Sequence, residues 1–192
     1  MAPYIAKQFV ASSPAAEVLG VTLLSFTQNL LADDMRPLLQ KHQLGNPVPD
    51  QWYSQQKALD LLAEIARTKL PHGYSENLVA IGMKAAENSA PSASPRPASP
   101  GDFLEGFPTV YSTRIRNTPP EEGYWPEKQS EGHYLVTNNT PFPNDSIYGF
   151  FWYFTKYFCP PDQMFVVRPL PLNPNKLLVL EIKWGRNPAA LR

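Results

Sequence analysis

The chain has a single cysteine, Cys159, in 192 residues, so it contains no internal disulfide and fits a reducing compartment. It also lacks a surplus of either charge. Seventeen basic residues balance seventeen acidic ones, whereas phosphate binding normally needs a clustered excess of Lys and Arg, so nucleic acid is not the expected partner. Arg114 and Arg116 make a small local basic patch, read here as a solvated face. Lys7 is the sole basic residue near the N-terminus, and Glu17 interrupts the apolar run continuing through Val18 to Leu24. Neither a signal peptide nor a membrane-spanning helix is expected, and a soluble cytoplasmic protein is.

The signatures of common chemistries are missing as well. No Gly-x-Ser-x-Gly elbow, phosphate-cradling glycine loop or dinucleotide fingerprint occurs. His42, His72 and His133 lie far apart, none with a second ligand at helical spacing, so no metal site is expected. Asp33-Asp34 and Glu121-Glu122 are neighbours in sequence, but neighbours on a helix diverge by about 100° and those in a loop are solvated. Neither reads as an acid/base pair. Cys159 falls at a helix C-terminus, where the helix dipole disfavours a thiolate. The expectation is a protein that is not an enzyme and carries no cofactor.

What the chain does have is proline and aromatic residues. Its 22 prolines are roughly twice ordinary usage, and the tract SAPSASPRPASP from Ser89 to Pro100 reads as an extended, mobile linker. It separates a helical half, 1–88, from an α+β half, 102–192, with 89–101 between them, the whole forming one composite domain. In the first half Leu19, Leu23, Phe26 and Leu30 predict a helix over Ala15 to Leu31. A short helix over Met35 to His42 follows. Ser54 caps a third running to about Lys69, and Ser75 a fourth running to about Ala86.

In the second half Asp102 to Val110 reads two ways. Phe103, Leu104 and Phe107 suggest a helical turn, while Pro108 and the following Thr-Val-Tyr-Ser-Thr suggest extended chain. Strands are predicted over His133 to Thr137, Met164 to Arg168 and Leu177 to Trp184. In the last, Leu178, Leu180, Ile182 and Trp184 alternate with Val179, Glu181 and Lys183. The densest signal is Tyr148 to Phe158, where eight of eleven residues are aromatic. At about 100° per residue, Ile147, Phe150, Phe151, Phe154 and Phe158 share one face. Tyr148, Trp152, Tyr153 and Tyr157 take the flanks and back. Asp145 or Ser146 caps this helix, and Cys159-Pro160-Pro161 ends it.

This order of elements, and above all the stretch Tyr134-Leu-Val-Thr-Asn-Asn-Thr-Pro-Phe-Pro-Asn-Asp-Ser-Ile-Tyr-Gly149, resembles the haem nitric oxide/oxygen-binding (H-NOX) superfamily. That fold is shared by 4-vinyl reductase-type ligand-binding domains and TRAPP-type tethering subunits. The resemblance implies an α+β fold, with an N-terminal helical half packed with a C-terminal antiparallel sheet and one aromatic-rich helix. In haem-binding members a histidine ligates iron and a Tyr-x-Ser-x-Arg motif holds the propionates. The ligand position falls here on Tyr111, and the propionate motif on Val136, Asn138 and Thr140, with no arginine left to pair a carboxylate. Haem is therefore not expected.

Two functions follow from the residues and the resemblance. The first in rank is an interaction or accessory subunit that meets a protein partner, or itself as a homo-oligomer, through Tyr148, Trp152, Tyr153 and Tyr157. Zero net charge gives little resistance to such self-association. The alternative is a sensor or carrier of a hydrophobic small molecule, with a pocket lined by Tyr111, Tyr134, Phe150, Phe154 and Trp184.

Overall fold

A computed structural model describes residues 3–27, 32–67, 78–90, 96–172, 175 and 177–191, with the backbone alone at 32–35 and 190. The expectations resting on Leu30, Lys69, His72 and Ser75, and on the side chains of Asp33 and Asp34, lie outside the described residues. The fold is mixed α+β. In chain order its elements are β1 (Glu17–Leu19), α1 (Gly20–Thr27), α2 (Ala32–Lys41), β2 (Trp52–Ser54), α3 (Gln55–Ile65), α4 (Leu78–Ser89) and α5 (Pro100–Arg114). There follow β3 (Ile115–Arg116), β4 (Gly123–Ser130), β5 (His133–Asn139), α6 (Asn144–Phe158), β6 (Met164–Pro169), β7 (Leu178–Gly185) and a closing 3-10 turn, Pro188–Leu191.

Two antiparallel sheets organise these elements, one in the order β2-β1-β3 and one in the order β4-β5-β7-β6. The small sheet corrects the expected helix over Ala15 to Leu31. Glu17–Leu19 is extended because it pairs on both sides, with Ser54 and Arg116 both opposite Glu17, so the helix starts only at Gly20. In the large sheet Tyr134 faces Ile182 and Val136 faces Leu180, which places their side chains on the inner face with Leu178 and Val167. Margin strand β4 breaks register between Lys128 and Ser130. Pro126 lies within β4, and Pro169 ends β6 at the other margin.

Helix α5 resolves the two readings of Asp102 to Val110 in favour of helix. Ser99 Oγ accepts from the Asp102 amide at 3.1 Å, and Pro100 occupies the first turn, where its missing N–H costs nothing. Thr109 to Thr113 is helical too, with Pro108 tolerated inside. The spacing of Phe103, Phe107 and Tyr111 puts three rings on one face of this helix. The end of the proline tract is thus tied down: Ser99 is a cap, Pro100 is buried, and the Arg96 guanidinium sits 5.2 Å from the Tyr157 ring centre.

Helices α5 and α6 both pack on the large sheet, α5 against β4 and α6 against β6, and α4 packs against α6. Ile147, Phe151, Phe154 and Phe158 are buried and Phe150 is half-buried, which is the predicted apolar face. Pro143, rather than Asp145 or Ser146, holds the cap position, because the Pro143 carbonyl takes the Ile147 amide at 3.1 Å. Ser146 Oγ donates to that same carbonyl. The α4–α6 crossing is a backbone contact made through glycines. A Cβ on Gly82 would sit 1.8 Å from the Ser146 carbonyl oxygen, and one on Gly149 2.0 Å from that of Val79. Among the described residues, no helix is long and apolar enough to cross a membrane.

Candidate functional site

The rings of α5 and α6 interlock into one aromatic ladder. Phe103 stacks on Phe154 at 4.3 Å between ring centres and on Phe158 at 5.6 Å. One turn on, Phe107 meets Phe150 at 5.2 Å and Phe151 edge-on at 5.5 Å. A further turn brings Tyr111 edge-on to Tyr124 at 5.2 Å. Such pairs add about 0.5–1.5 kcal/mol each beyond the area they bury. The lower rungs are sealed, but Phe107 and Phe150 stay half-buried and open towards solvent.

Outside those open rungs runs a groove of about 800 Å³, floored by Phe103, Phe107, Phe150 and Phe154 and edged by Arg96 and Arg114. This volume lies within the range of small-molecule sites. A small apolar cavity of about 60 Å³ continues inward between α1, α5 and α6, and Phe107, Val110, Arg114 and Phe150 line both spaces. Arg114 therefore stands where groove and cavity meet. Its guanidinium is half-buried, and burial lowers its pKa. Among the described residues nothing forms a hydrogen bond or ion pair with it. Arg116, by contrast, donates from Nε to Glu17 at 2.7 Å and lies 4.2 Å above the Trp52 ring. The two arginines expected to share one solvated face have separate environments.

Behind Tyr111 is a buried polar cluster. Its hydroxyl donates to Glu122 Oε1 at 2.6 Å, and Gln55 Nε2 donates to the same oxygen at 2.9 Å. Glu122 is only 7% exposed, which corrects the expectation that the Glu121-Glu122 pair is solvated. Burial first, and the Glu122 carboxylate second, push the Tyr111 phenol well above its usual pKa. The same two causes push Tyr4 up to about 12.

The sequence-predicted pocket residues divide into two places. Phe150 and Phe154 line the groove, while Tyr111 and Phe150 line the inner cavity. Tyr134 and Trp184 stack on each other at 5.6 Å beneath the start of α5, and the Tyr134 hydroxyl donates to Glu105. Sequence reasoning missed Phe103, Phe107 and Arg114 as site residues. The spacing of the α5 rings was visible, whereas nothing local marks an arginine as lacking a partner. The four rings proposed for association are all half-buried. Trp152 packs edge-on against Phe165 at 5.4 Å, Tyr153 stacks with Tyr157 at 6.2 Å, and Tyr148 rests against the core.

Two of the histidines lie beside carboxylates. His42 Nε2 lies 2.7 Å from Glu64, and His133 Nε2 lies 3.1 Å from Glu181, which Arg168 and Lys183 also contact. Among the described residues, no cluster of three His, Cys, Asp or Glu side chains is placed to hold a metal ion.

No family model matches the chain, and no curated protein matches it in sequence. Solved structures do match in shape. An H-NOX protein from S. oneidensis in the Fe(II)NO ligation state superposes with a TM-score of 0.64 at 11% identity, over 87% of this chain and 99% of that one. An oxygen-binding H-NOX domain related to soluble guanylate cyclases, solved as its oxygen complex, gives 0.64 at 12% identity over 86% and 92%. A variant of T. tengcongensis H-NOX gives 0.60 at 13% identity over 86% and 94%. The fold is a divergent form of the H-NOX fold.

The haem those motifs would hold does not fit the residues present. Tyr111, which the sequence resemblance sets at the ligand position, keeps its proton and donates a hydrogen bond to Glu122. Of the residues the resemblance sets at the propionate positions, Val136 is buried in the sheet, while Asn138 Oδ1 accepts from both the amide and the hydroxyl of Thr140. The inner cavity beside Tyr111 encloses about 60 Å³, and Tyr111 also lines a separate cleft of about 360 Å³ that Arg116 and Glu122 share.

Proposed function

We propose that this domain is a non-catalytic binding module for a hydrophobic small molecule, held in the α5–α6 groove. The observation that carries this reading is the pair of half-open rings, Phe107 and Phe150, on the floor of a groove of about 800 Å³. Apolar surface left wet in a concave site is where an apolar ligand gains most from leaving water. The neighbours solved in ligated states lend the fold a ligand-binding precedent. Phe107 and Phe150 supply the contact surface, Phe103 and Phe154 back them from the core, and Tyr111 closes the inner end. The half-burial of Tyr148, Trp152, Tyr153 and Tyr157 leaves less free ring surface for association than the sequence suggested.

Uptake of the neutral dye Nile red, read by its fluorescence, tests the proposal directly. The dye should bind the wild-type protein at about one site. Val110→Trp, on the exposed wall shared by groove and cavity, should block it without loss of folding. Native mass spectrometry gives the opposing result: a ligand-free oligomer that takes up no dye overturns the binding reading in favour of association.

A further inference from the structure

Arg114 is the one feature of the groove that packing does not explain. A guanidinium offers five donors in a rigid planar fork, and taking it partly out of water without a partner is unfavourable. Proteins normally match such a group with a carboxylate, yet among the described residues none pairs with this one. Only the carbonyl end of α5 compensates it, since Arg114 is the last residue of that helix. The charged rim is equally unbalanced. Arg96 and Arg114 line the groove against Asp102 alone, and an Asp102 carboxylate oxygen is engaged by the Ala98 amide at 3.2 Å. Asp102 and Arg114 stand twelve residues apart on α5, about 18 Å at 1.5 Å per residue. The groove is therefore long, ring-floored and neutral along its floor, with an unmatched cation at one end.

Building on the groove reading above, we infer that the ligand is an amphiphilic monocarboxylate, its apolar body lying over Phe107 and Phe150, with Phe103 and Phe154 behind them, and its carboxylate held by Arg114. A planar carboxylate accepts two parallel N–H bonds from the fork, which fixes the head group while the ring floor accepts varied tails. One unmatched cation at that end calls for one negative charge. The small cavity beyond Arg114, about 60 Å³, has room for a few water molecules and not for the ligand's apolar body.

The test uses the full chain with dodecanoate and dodecanol competing against Nile red, in wild type, Arg114→Gln and Arg114→Lys. Wild type should prefer dodecanoate over dodecanol by about tenfold or more, the scale of a charge-assisted hydrogen bond. Arg114→Gln should erase that preference and leave dodecanol within about twofold of wild type. Arg114→Lys should keep part of it, having the charge without the fork. Equal dodecanoate affinity in wild type and Arg114→Gln, with dye uptake intact, overturns the head-group inference and leaves the groove reading standing. Failure of wild type to bind dye or either amphiphile overturns both. A stability readout separates recognition from architecture: unliganded Arg114→Gln should melt no lower than wild type, and a clear loss of melting temperature would assign Arg114 a structural partner instead.

Discussion

The glycine contact between α4 and α6 permits a sharp test, because one substitution should act with opposite sign at two sites. In Gly149→Ala the new methyl lies 2.0 Å from the Val79 carbonyl oxygen, whereas ordinary contact begins at about 3.5 Å. The helices must then part by about 1.5 Å, and the clashing atom is backbone, which cannot rotate away. Such overpacking costs about 1–3 kcal/mol, while the better helix propensity of alanine returns about 0.5–1. With the cost at its upper end, a net loss of about 2 kcal/mol is expected, or about 4–8 °C in melting temperature for a domain of this size. Gly106 is the control. It lies within α5, and a Cβ there meets nothing within 4 Å, so Gly106→Ala should stabilise by about 0.5–1 kcal/mol. Urea unfolding of both variants reads out the comparison. A Gly149→Ala protein as stable as wild type would refute the close crossing.

Four further outcomes follow from the site and its surroundings. Glu122→Ala strands the Tyr111 and Gln55 donors in the interior and should cost about 2–4 kcal/mol in urea unfolding, the penalty for two buried groups losing their acceptor. Phe151→Ala, at a side chain 1% exposed, should cost about 3–5 kcal/mol by the same measurement. Alkaline stability has a defined sign: Tyr4 and Tyr111 have raised folded-state pKa values, so their contribution is intact below pH ~10 and declines as the pH rises through the folded-state values, with buried Tyr111 contributing more than the half-buried and more solvent-screened Tyr4. Unfolding followed by phenolate absorbance against pH checks this. Added haem should give no sharp Soret band with wild type or with Tyr111→His, since a ligand without propionate anchors does not make a site.

The sequence showed α6 and β7 because each buries one continuous face with its own period, and the structure buries Phe151, Phe154, Leu180 and Ile182 as that period requires. The small sheet was hidden for the opposite reason. Strands of three and two residues carry no readable alternation, and Val18 sits in a run that scores equally well as helix. Partners distant in sequence decided its conformation, which is tertiary context overriding local propensity. The site behaved alike. Phe150 and Phe154 were legible from the helix they share, whereas the roles of Glu122 and Arg114 depend on what faces them across the fold. Trp184 and Tyr134 were grouped with the pocket because both point inward from neighbouring strands. The sheet nevertheless carries them to its far end, under Gly101.

The margins of the large sheet have a bearing on what can be added to it. An unpaired outer strand is ordinarily a template on which another chain can hydrogen-bond, the first step towards fibres. Here one border carries Pro126 and a register break at Lys128, and the other closes on Pro169 beside exposed Arg168. An incoming strand would meet missing donors, a kink or a desolvated charge at either border. Edge-to-edge extension of the large sheet is disfavoured at both of its borders.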